Sequence, residues 1–294
     1  MVHLSIVIVT KNRALELSHC LGSLLSNSLL PKEIIVIDNN SNDDTKQLLM
    51  NMIVNVNIAV KYINTKSIGY PKIYNRGLKE AKGNWVAFID DDCVADINWI
   101  SEILSSIKKY PKHAAIMGWC ETYYSDNVFS QTTNMFDNDW KQRSLNANKV
   151  LDLEVLDTKN IVFNNKFLKS RHLSFDNSRS SYVLGAAQDC DFGIQIQNAS
   201  GKAVVNKKMI ISHKDPCHLI DFIKKDYLSW KSYNSLEKKW NLIRRYSLKN
   251  NPIPITRLVK NYGNKYSLTK FQQFWLLIVS KQILLFNRLL KLTS

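Results

Sequence analysis

Through the first third of the chain, short apolar runs without a polar face alternate with segments of helical periodicity. That is the signature of a parallel sheet buried between helices. Leu4–Val9 reads as the first strand and Ala14–Leu25 as an amphipathic helix. Ile34–Ile37 is the second strand, and a helix follows from about Asp43, with Ser41 or Asn42 as its expected cap. Ala59–Ile63 is the third strand. Pro71 suits the first turn of the next helix, whose Ile73, Leu78 and Ala81 face the core. Trp85–Ile89 is the fourth strand, and Trp99–Ile107 is the helix after Asp96.

Beyond Pro111 the pattern becomes irregular. Ala114–Met117 reads as a strand, and the Asn- and Ser-rich stretch from Ser125 to Asn148 as mobile, substrate-facing loop. From about Asp215 the chain reads as helices broken at Pro252 and Pro254. In the last of them, Leu268–Leu292, the polar residues Lys270, Gln273, Ser280, Asn287 and Lys291 fall near one stripe. The rest of that helix is broad and apolar, with Phe271, Phe274, Trp275, Leu277, Ile278, Leu284, Leu285, Phe286 and Leu289.

Composition narrows the class. A chain of 294 residues with 45% hydrophobic content can bury a large core. The five cysteines are widely spaced and form no C-x-x-C pair, so reduced thiols and a cytoplasmic location are the expectation. Leu4–Val9 lacks the basic flank, length and cleavage site of a signal peptide, and no stretch reaches the roughly 20 apolar residues of a membrane-spanning helix. The net charge is +15 and unevenly placed: Lys238 to Ser294 carry twelve Lys plus Arg, Arg244, Arg245 and Lys249 among them, and no Asp or Glu. An anionic surface is one destination for that tail, and a solvated helical face is the other.

In an open α/β sheet the ligand-binding residues follow the strands. Those positions hold Thr10, Lys11, Asn12 and Arg13 after the first strand, Asp38 to Ser41 after the second, and Asp90, Asp91 and Asp92 after the fourth. Three successive carboxylates at the end of a buried strand repel one another and lose hydration unless a cation offsets them. Hard oxygen ligands select Mg²⁺ or Mn²⁺, which complete their shell with substrate phosphates. The first turn has no glycine, so neither a dinucleotide fingerprint nor a P-loop is present. Phosphate charge then falls to a metal and to Arg13 or Arg76, which points to a leaving diphosphate rather than a redox cofactor.

These segments resemble family 2 glycosyltransferases of the GT-A fold. The similarity runs in order through SIVIVTKNR (5–13), IIVIDNNSNDDT (34–45), IGYPKIYNRGL (68–78), WVAFIDDDC (85–93), KNIVFNN (159–165) and AAQDCDFGIQIQNASG (186–201). The resemblance implies an α/β, Rossmann-like, mainly parallel mixed sheet flanked by helices. It also implies a nucleotide-sugar-binding half over 1–110, an acceptor-binding half over 111–215 and a basic helical extension over 216–294. Thr10 and Asp38 would line the base and ribose pocket, joined in the donor site by Asn12, Arg13, Asn75 and Arg76. Asp90 to Asp92 match the D-x-D element. Asp91 would then sit near the ribose and Asp92 would be the direct metal ligand, with Asp90 and His213 as further candidates. The family's Glu-Asp pair is Gln188-Asp189 here. Asp189 would be the catalytic base, and the change to Gln makes Asp191 a substitute to weigh.

The implied reaction is a metal-dependent, inverting transfer of one sugar from a nucleotide-diphosphate donor, UDP by analogy. The acceptor would be a hydroxyl of a glycan or lipid-linked glycan, in bacterial surface polysaccharide assembly. A single-sugar transferase is favoured over a polymerase, because the tail lacks a Q-x-x-R-W element. The last helix is open to three arrangements: docking on the catalytic domain, pairing in a homodimer, or lying peripherally on the inner face of the cytoplasmic membrane. Two rivals stand beside this reading. A sugar nucleotidyltransferase would need a glycine- and arginine-rich first loop. A non-catalytic sugar- or nucleic-acid-binding module leaves the acidic strand ends unexplained, so nucleic acid is not an expected partner.

Overall fold

The structure is a computed structural model that describes residues 2–54, 56–67, 69–145, 150–151, 155–179, 187–240 and 254–292, without the side chains of 150, 151, 284 and 287–292. Ile68, Ala186, Arg244, Arg245, Lys249 and Pro252 lie outside the described residues, as do the side chains of Leu284, Asn287, Leu289 and Lys291. The chain divides into two units, Met1–Glu121 with Leu145–His213, and Thr122–Ser144 with Lys214–Ser294.

The first unit is built on a nine-stranded sheet. Its strands are β1 (Leu4–Thr10), β2 (Glu33–Asp38), β3 (Ala59–Asn64), β4 (Trp85–Asp90), β5 (Cys93–Ala95), β6 (Ala115–Thr122), β7 (Val150–Leu151), β8 (Asn160–Asn164) and β9 (Ala203–His213). They lie in the order β3-β2-β1-β4-β8-β6-β9-β5, with β7 pairing β9. β3, β2, β1 and β4 are parallel, and β8 joins antiparallel to β4 and β6. The Ile- and Val-rich β1, β2 and β4 are buried on both faces, which suits a parallel sheet covered by helices. Each fully buried Ile or Val contributes about 1.5–3 kcal/mol, and this explains why the apolar runs alone locate these strands. Glu33 is buried in β2 because Ser5 Oγ and the Lys82 amide donate to it, at 2.6 and 2.8 Å.

The covering helices are α1 (Ala14–Leu25), α2 (Thr45–Ile53), α3 (Tyr70–Glu80), α4 (Trp99–Lys109), α6 (Asn165–Ser170) and α7 (Gln188–Asn198). α2 starts two residues later than expected, and neither Ser41 nor Asn42 caps it. Ser41 spends its hydroxyl on Asp38, and Asp43 accepts from the Thr45 amide instead. The antiparallel half, of which periodicity assigned only Ala114–Met117 at the start of β6, is tied together by a buried amide. Asn160 accepts from Trp99 Nε1 and donates to the carbonyls of Trp119 and Met209, each at 2.9 Å. A Cβ at Gly118 would collide with Asn160 Nδ2 and the Met209 carbonyl, so only glycine admits this crossing of β6, β8 and β9.

The second unit is helical: α5 (Val128–Arg143), α8 (Leu219–Trp240), α9 (Ile255–Lys265) and α10 (Lys270–Leu292). α5 corrects the expectation of loop over Ser125–Asn148, of which 146–148 lie outside the described residues. Asn127 caps it by accepting from the Phe129 and Ser130 amides. Thr132 and Thr133 return their hydroxyls to carbonyls one turn back, and the Tyr262 hydroxyl donates to Asn134. Polar groups paired in this way are buried beside Met135, so the helix carries no apolar stripe for sequence reading to find. In α10, Ser280 is buried rather than on a polar stripe. Its hydroxyl donates to the Leu276 carbonyl at 2.6 Å, while Phe271, Phe274, Trp275 and Leu285 are exposed. Among the described residues no helix is long and apolar enough to cross a membrane.

Candidate functional site

Register aligns the strand ends. Thr10 pairs with Asp38, Asp38 with Asn64 and Val9 with Asp90, so the residues after three parallel strands meet at one edge. β2 and β4 flank β1 on opposite sides, which makes this edge the switch point where open sheets bind ligands. Asp38 is buried, accepting from the Ser41 amide at 2.9 Å, the Ser41 hydroxyl at 2.6 Å and the Tyr62 hydroxyl at 2.7 Å. Asn12, with φ 51°, sits in the left-handed region that asparagine tolerates. Its amide donates to Ser41 Oγ and its Oδ1 accepts from the Asn42 amide, both at 2.8 Å. Those bonds join the loops after β1 and β2.

The acidic triplet is only partly neutralised. Asp91 accepts from Thr10 Oγ1 at 2.7 Å, and Arg13 Nη1 bridges Asp91 and Asp92 at 2.9 Å each. Desolvation first, then the charge of Asp92, pushes the Asp90 carboxyl up to about 7. Desolvation also pushes Asp91 up to about 6, against the opposing effect of Arg13. The one guanidinium serves Asp91 and Asp92, and the surplus negative charge suits a divalent cation. His213 Nε2 lies 3.4 Å from Asp92 Oδ1. Asp92, His213 and Cys93 each present one ligand atom, all within 4.8 Å of one another. Asp90 is outside that group among the described residues.

On α3, Arg76 pairs with Glu80 at 2.8 Å rather than with the triplet. Asn75 exchanges hydrogen bonds with both backbone groups of Phe175, at 2.8 and 2.9 Å, which ties the helix to the segment leading toward α7. Asp189 lies in the first turn of α7, half-buried. It accepts from the Cys190 amide at 2.9 Å and the Thr158 amide at 3.4 Å. Burial, then the charge of Asp157, pushes its carboxyl from 3.8 up to about 7. Gln188 beside it is buried, and its Oε1 has no hydrogen-bond partner among the described residues. Asp191 is fully buried and accepts from Gln195 one turn on, so Asp189 is the more accessible carboxylate at this helix opening.

Sequence reading missed the groups that connect these parts. Tyr74 is buried on α3, and its hydroxyl accepts from Thr158 Oγ1 at 3.3 Å. Burial and then the charge of Asp90, with Asp189 contributing, raise its proton affinity, and Asp157 acts on Asp90 and Asp189 alike. Tyr74 is thus linked to Asp189 through Thr158, whose hydroxyl and amide donate to the two in turn. Its position one turn after Tyr70 inside a matched segment was the available signal, since the two rings stack at 6.0 Å. Tyr62 gave none beyond its place near the end of a strand.

A family model described as Glycosyl transferase family 2 matches residues 5–171. GalNAc(5)-diNAcBac-PP-undecaprenol beta-1,3-glucosyltransferase of Campylobacter jejuni is 34% identical over 90 residues, 30% of this chain and 29% of that protein. Poly(ribitol-phosphate) beta-N-acetylglucosaminyltransferase TarS of Staphylococcus aureus is 33% identical over 95 residues, 31% of this chain and 16% of its own length. The match therefore spans less than a third of either relative. Among solved structures, TarS 1–349 with UDP-GlcNAc superposes with TM-score 0.56 at 14% identity, covering 95% of this chain and 90% of that one. The mannosyltransferase of Pyrobaculum calidifontis with GDP-Man and Mn²⁺ gives 0.58 at 14% identity, covering 98% and 86%. The fold is that of the GT-A glycosyltransferases.

Proposed function

The chain belongs to glycosyl transferase family 2, and from that premise we propose that it transfers a single sugar, with inversion, from a nucleotide-diphosphate donor to an acceptor hydroxyl. The observation that carries this is the alignment of Thr10, Asp38 and Asp90 at one sheet edge, with Arg13 and Asp92 joined to them. Residues 1–110 would hold the donor and 111–215 the acceptor. Asp38 and Thr10 would take the nucleoside, with Asn12, Asn75 and Asp91 completing its pocket and Arg13 and Arg76 available to the diphosphate. Asp92 and His213, with Asp90 nearby, would hold Mn²⁺ or Mg²⁺, which supplies Lewis-acid stabilisation of the departing diphosphate.

Asp189 is the base. As the acceptor oxygen bonds to the anomeric carbon, its proton passes to the Asp189 carboxylate and the bond from that carbon to the diphosphate oxygen breaks. Attack opposite the leaving group inverts the centre. Gln188 Oε1, buried and without a partner among the described residues, would accept from a second acceptor hydroxyl or an acetamido N–H. The proposed donor is a UDP-sugar, because TarS is solved with UDP-GlcNAc, and the acceptor is a glycan or lipid-linked glycan of bacterial surface polysaccharide, by likeness to the C. jejuni relative.

A thermal-shift screen against UDP, dTDP, GDP and CMP tests the donor reading. UDP with Mn²⁺ is expected to give the largest rise, on the order of 2.7 kcal/mol at a hundredfold excess over Kd. No shift with any nucleotide, metal present or absent, sinks the proposal.

The last helix supports a peripheral, inner-face membrane location. Phe271, Phe274 and Trp275 are exposed beside Lys270, and Lys281 follows two turns on. Aromatic rings next to lysines suit a lipid headgroup boundary. Replacing the three aromatic residues with Ser should cut cosedimentation with anionic liposomes severalfold. Equal partitioning removes the membrane reading, and a change from dimer to monomer in the same variant assigns the face to self-pairing.

A further inference from the structure

β5 and β9 place a thiol where the metal reading calls for ligands. Cys93 opens β5 directly opposite His213 in the antiparallel ladder, so the two side chains leave the same face of the sheet. Asp92 precedes it, and Cys93 Sγ lies 4.0 Å from Asp92 Oδ1. The sulfur approaches from the interior, since Cys93 is fully buried within the main core, while Asp92 and His213 keep some exposure. For packing alone any small apolar residue would serve. A thiol beside a carboxylate and an imidazole adds the one soft donor of the set.

We propose that Cys93 is a third protein ligand of the metal site, giving a carboxylate, imidazole and thiolate set that takes a borderline-soft divalent ion of the zinc and cobalt class in preference to magnesium. The inference rests on the reading of Asp92 and His213 as ligands and changes which ion that site selects. Three protein ligands with one position open is also the arrangement of catalytic zinc sites. The ligand atoms stand within 4.8 Å of one another. Bonds of about 2.0–2.3 Å bring such atoms closer than that, so closing on one ion takes roughly an ångström of side-chain movement. The thiol proton leaves to solvent as the metal binds.

Cobalt(II) is the probe, added to the metal-free full chain. A thiolate-to-cobalt charge-transfer band in the near ultraviolet is expected, absent from Cys93→Ser and retained in Cys217→Ser, whose thiol is the half-buried one. Cobalt affinity should fall at least about tenfold in Cys93→Ser, since even the loss of an outer-shell partner has that effect, while magnesium affinity stays within about twofold. X-ray absorption on the zinc-loaded wild-type chain needs no variant and should show sulfur at about 2.3 Å. A shell of nitrogen and oxygen only, or a band that survives in Cys93→Ser, overturns the proposal. The thermal shift with nucleotide separates the two readings. A shift without metal-bound sulfur removes Cys93 alone. Metal-bound sulfur with no nucleotide affinity removes the transferase and leaves the metal site.

Discussion

Asp189→Asn should lower sugar transfer by about 10²–10⁴-fold, the usual contribution of a positioned general base, while nucleotide binding persists. The substitution keeps one side-chain oxygen, enough for the Cys190 amide at 2.9 Å but not also for the Thr158 amide at 3.4 Å on the other oxygen, and it cannot take up the acceptor proton. Because burial and Asp157 push the Asp189 carboxyl up to about 7, the wild-type rate should fall tenfold per pH unit below about 7 and level off above it. Stability moves in the opposite sense. The folded chain holds this proton more tightly than the unfolded chain, so the charge penalty is absent near pH 4, grows as pH rises, and is fully present above about 7. Asp189→Asn should therefore melt higher than wild type at pH 8 and equally at pH 4. Progress curves with UDP-sugar and melts at both pH values check this. Full turnover in the variant would reassign the base.

That trade between charge and fold explains what was legible in the sequence. β1, β2 and β4 could be placed because Ile and Val buried on both faces announce themselves as uninterrupted runs. Their acidic ends could be placed for the converse reason, since Asp90 to Asp92 are anomalous after an apolar strand. Of the antiparallel half, periodicity located part of β6, as Ala114–Met117, and left β8 unassigned. β8 is held through the Asn160 amide, and an asparagine bonded to three partners far away in sequence looks like any loop asparagine. α5 was invisible because its buried face is polar and internally bonded. Cys93 drew no attention because its register with His213 is a long-range pairing across more than a hundred residues.

Asp92→Ala should remove metal stimulation altogether and cut turnover by about 10³-fold, the several kcal/mol expected from losing stabilisation of a departing diphosphate. Arg13 does not recover the loss. Its guanidinium already bridges Asp91 and Asp92 at 2.9 Å, with the arginine side chain 47% exposed, so it acts as a resident cation where the ion's charge is needed. In Asp92→Ala it keeps its bond to Asp91, and its single positive charge replaces only part of what a divalent ion supplies to the diphosphate. Removing that cation should act oppositely on the metal. Arg13→Met leaves the carboxylates uncompensated, so Mn²⁺ affinity without nucleotide should rise about fivefold, the equivalent of roughly 1 kcal/mol for a half-exposed ion pair, while affinity for the nucleoside diphosphate falls. Calorimetry with Mn²⁺ and UDP, separately and together, reads both signs. Unaltered Mn²⁺ stimulation in Asp92→Ala takes the metal away from this carboxylate, and a fall in Mn²⁺ affinity in Arg13→Met would mean that the arginine organises the acidic pocket rather than competing for it.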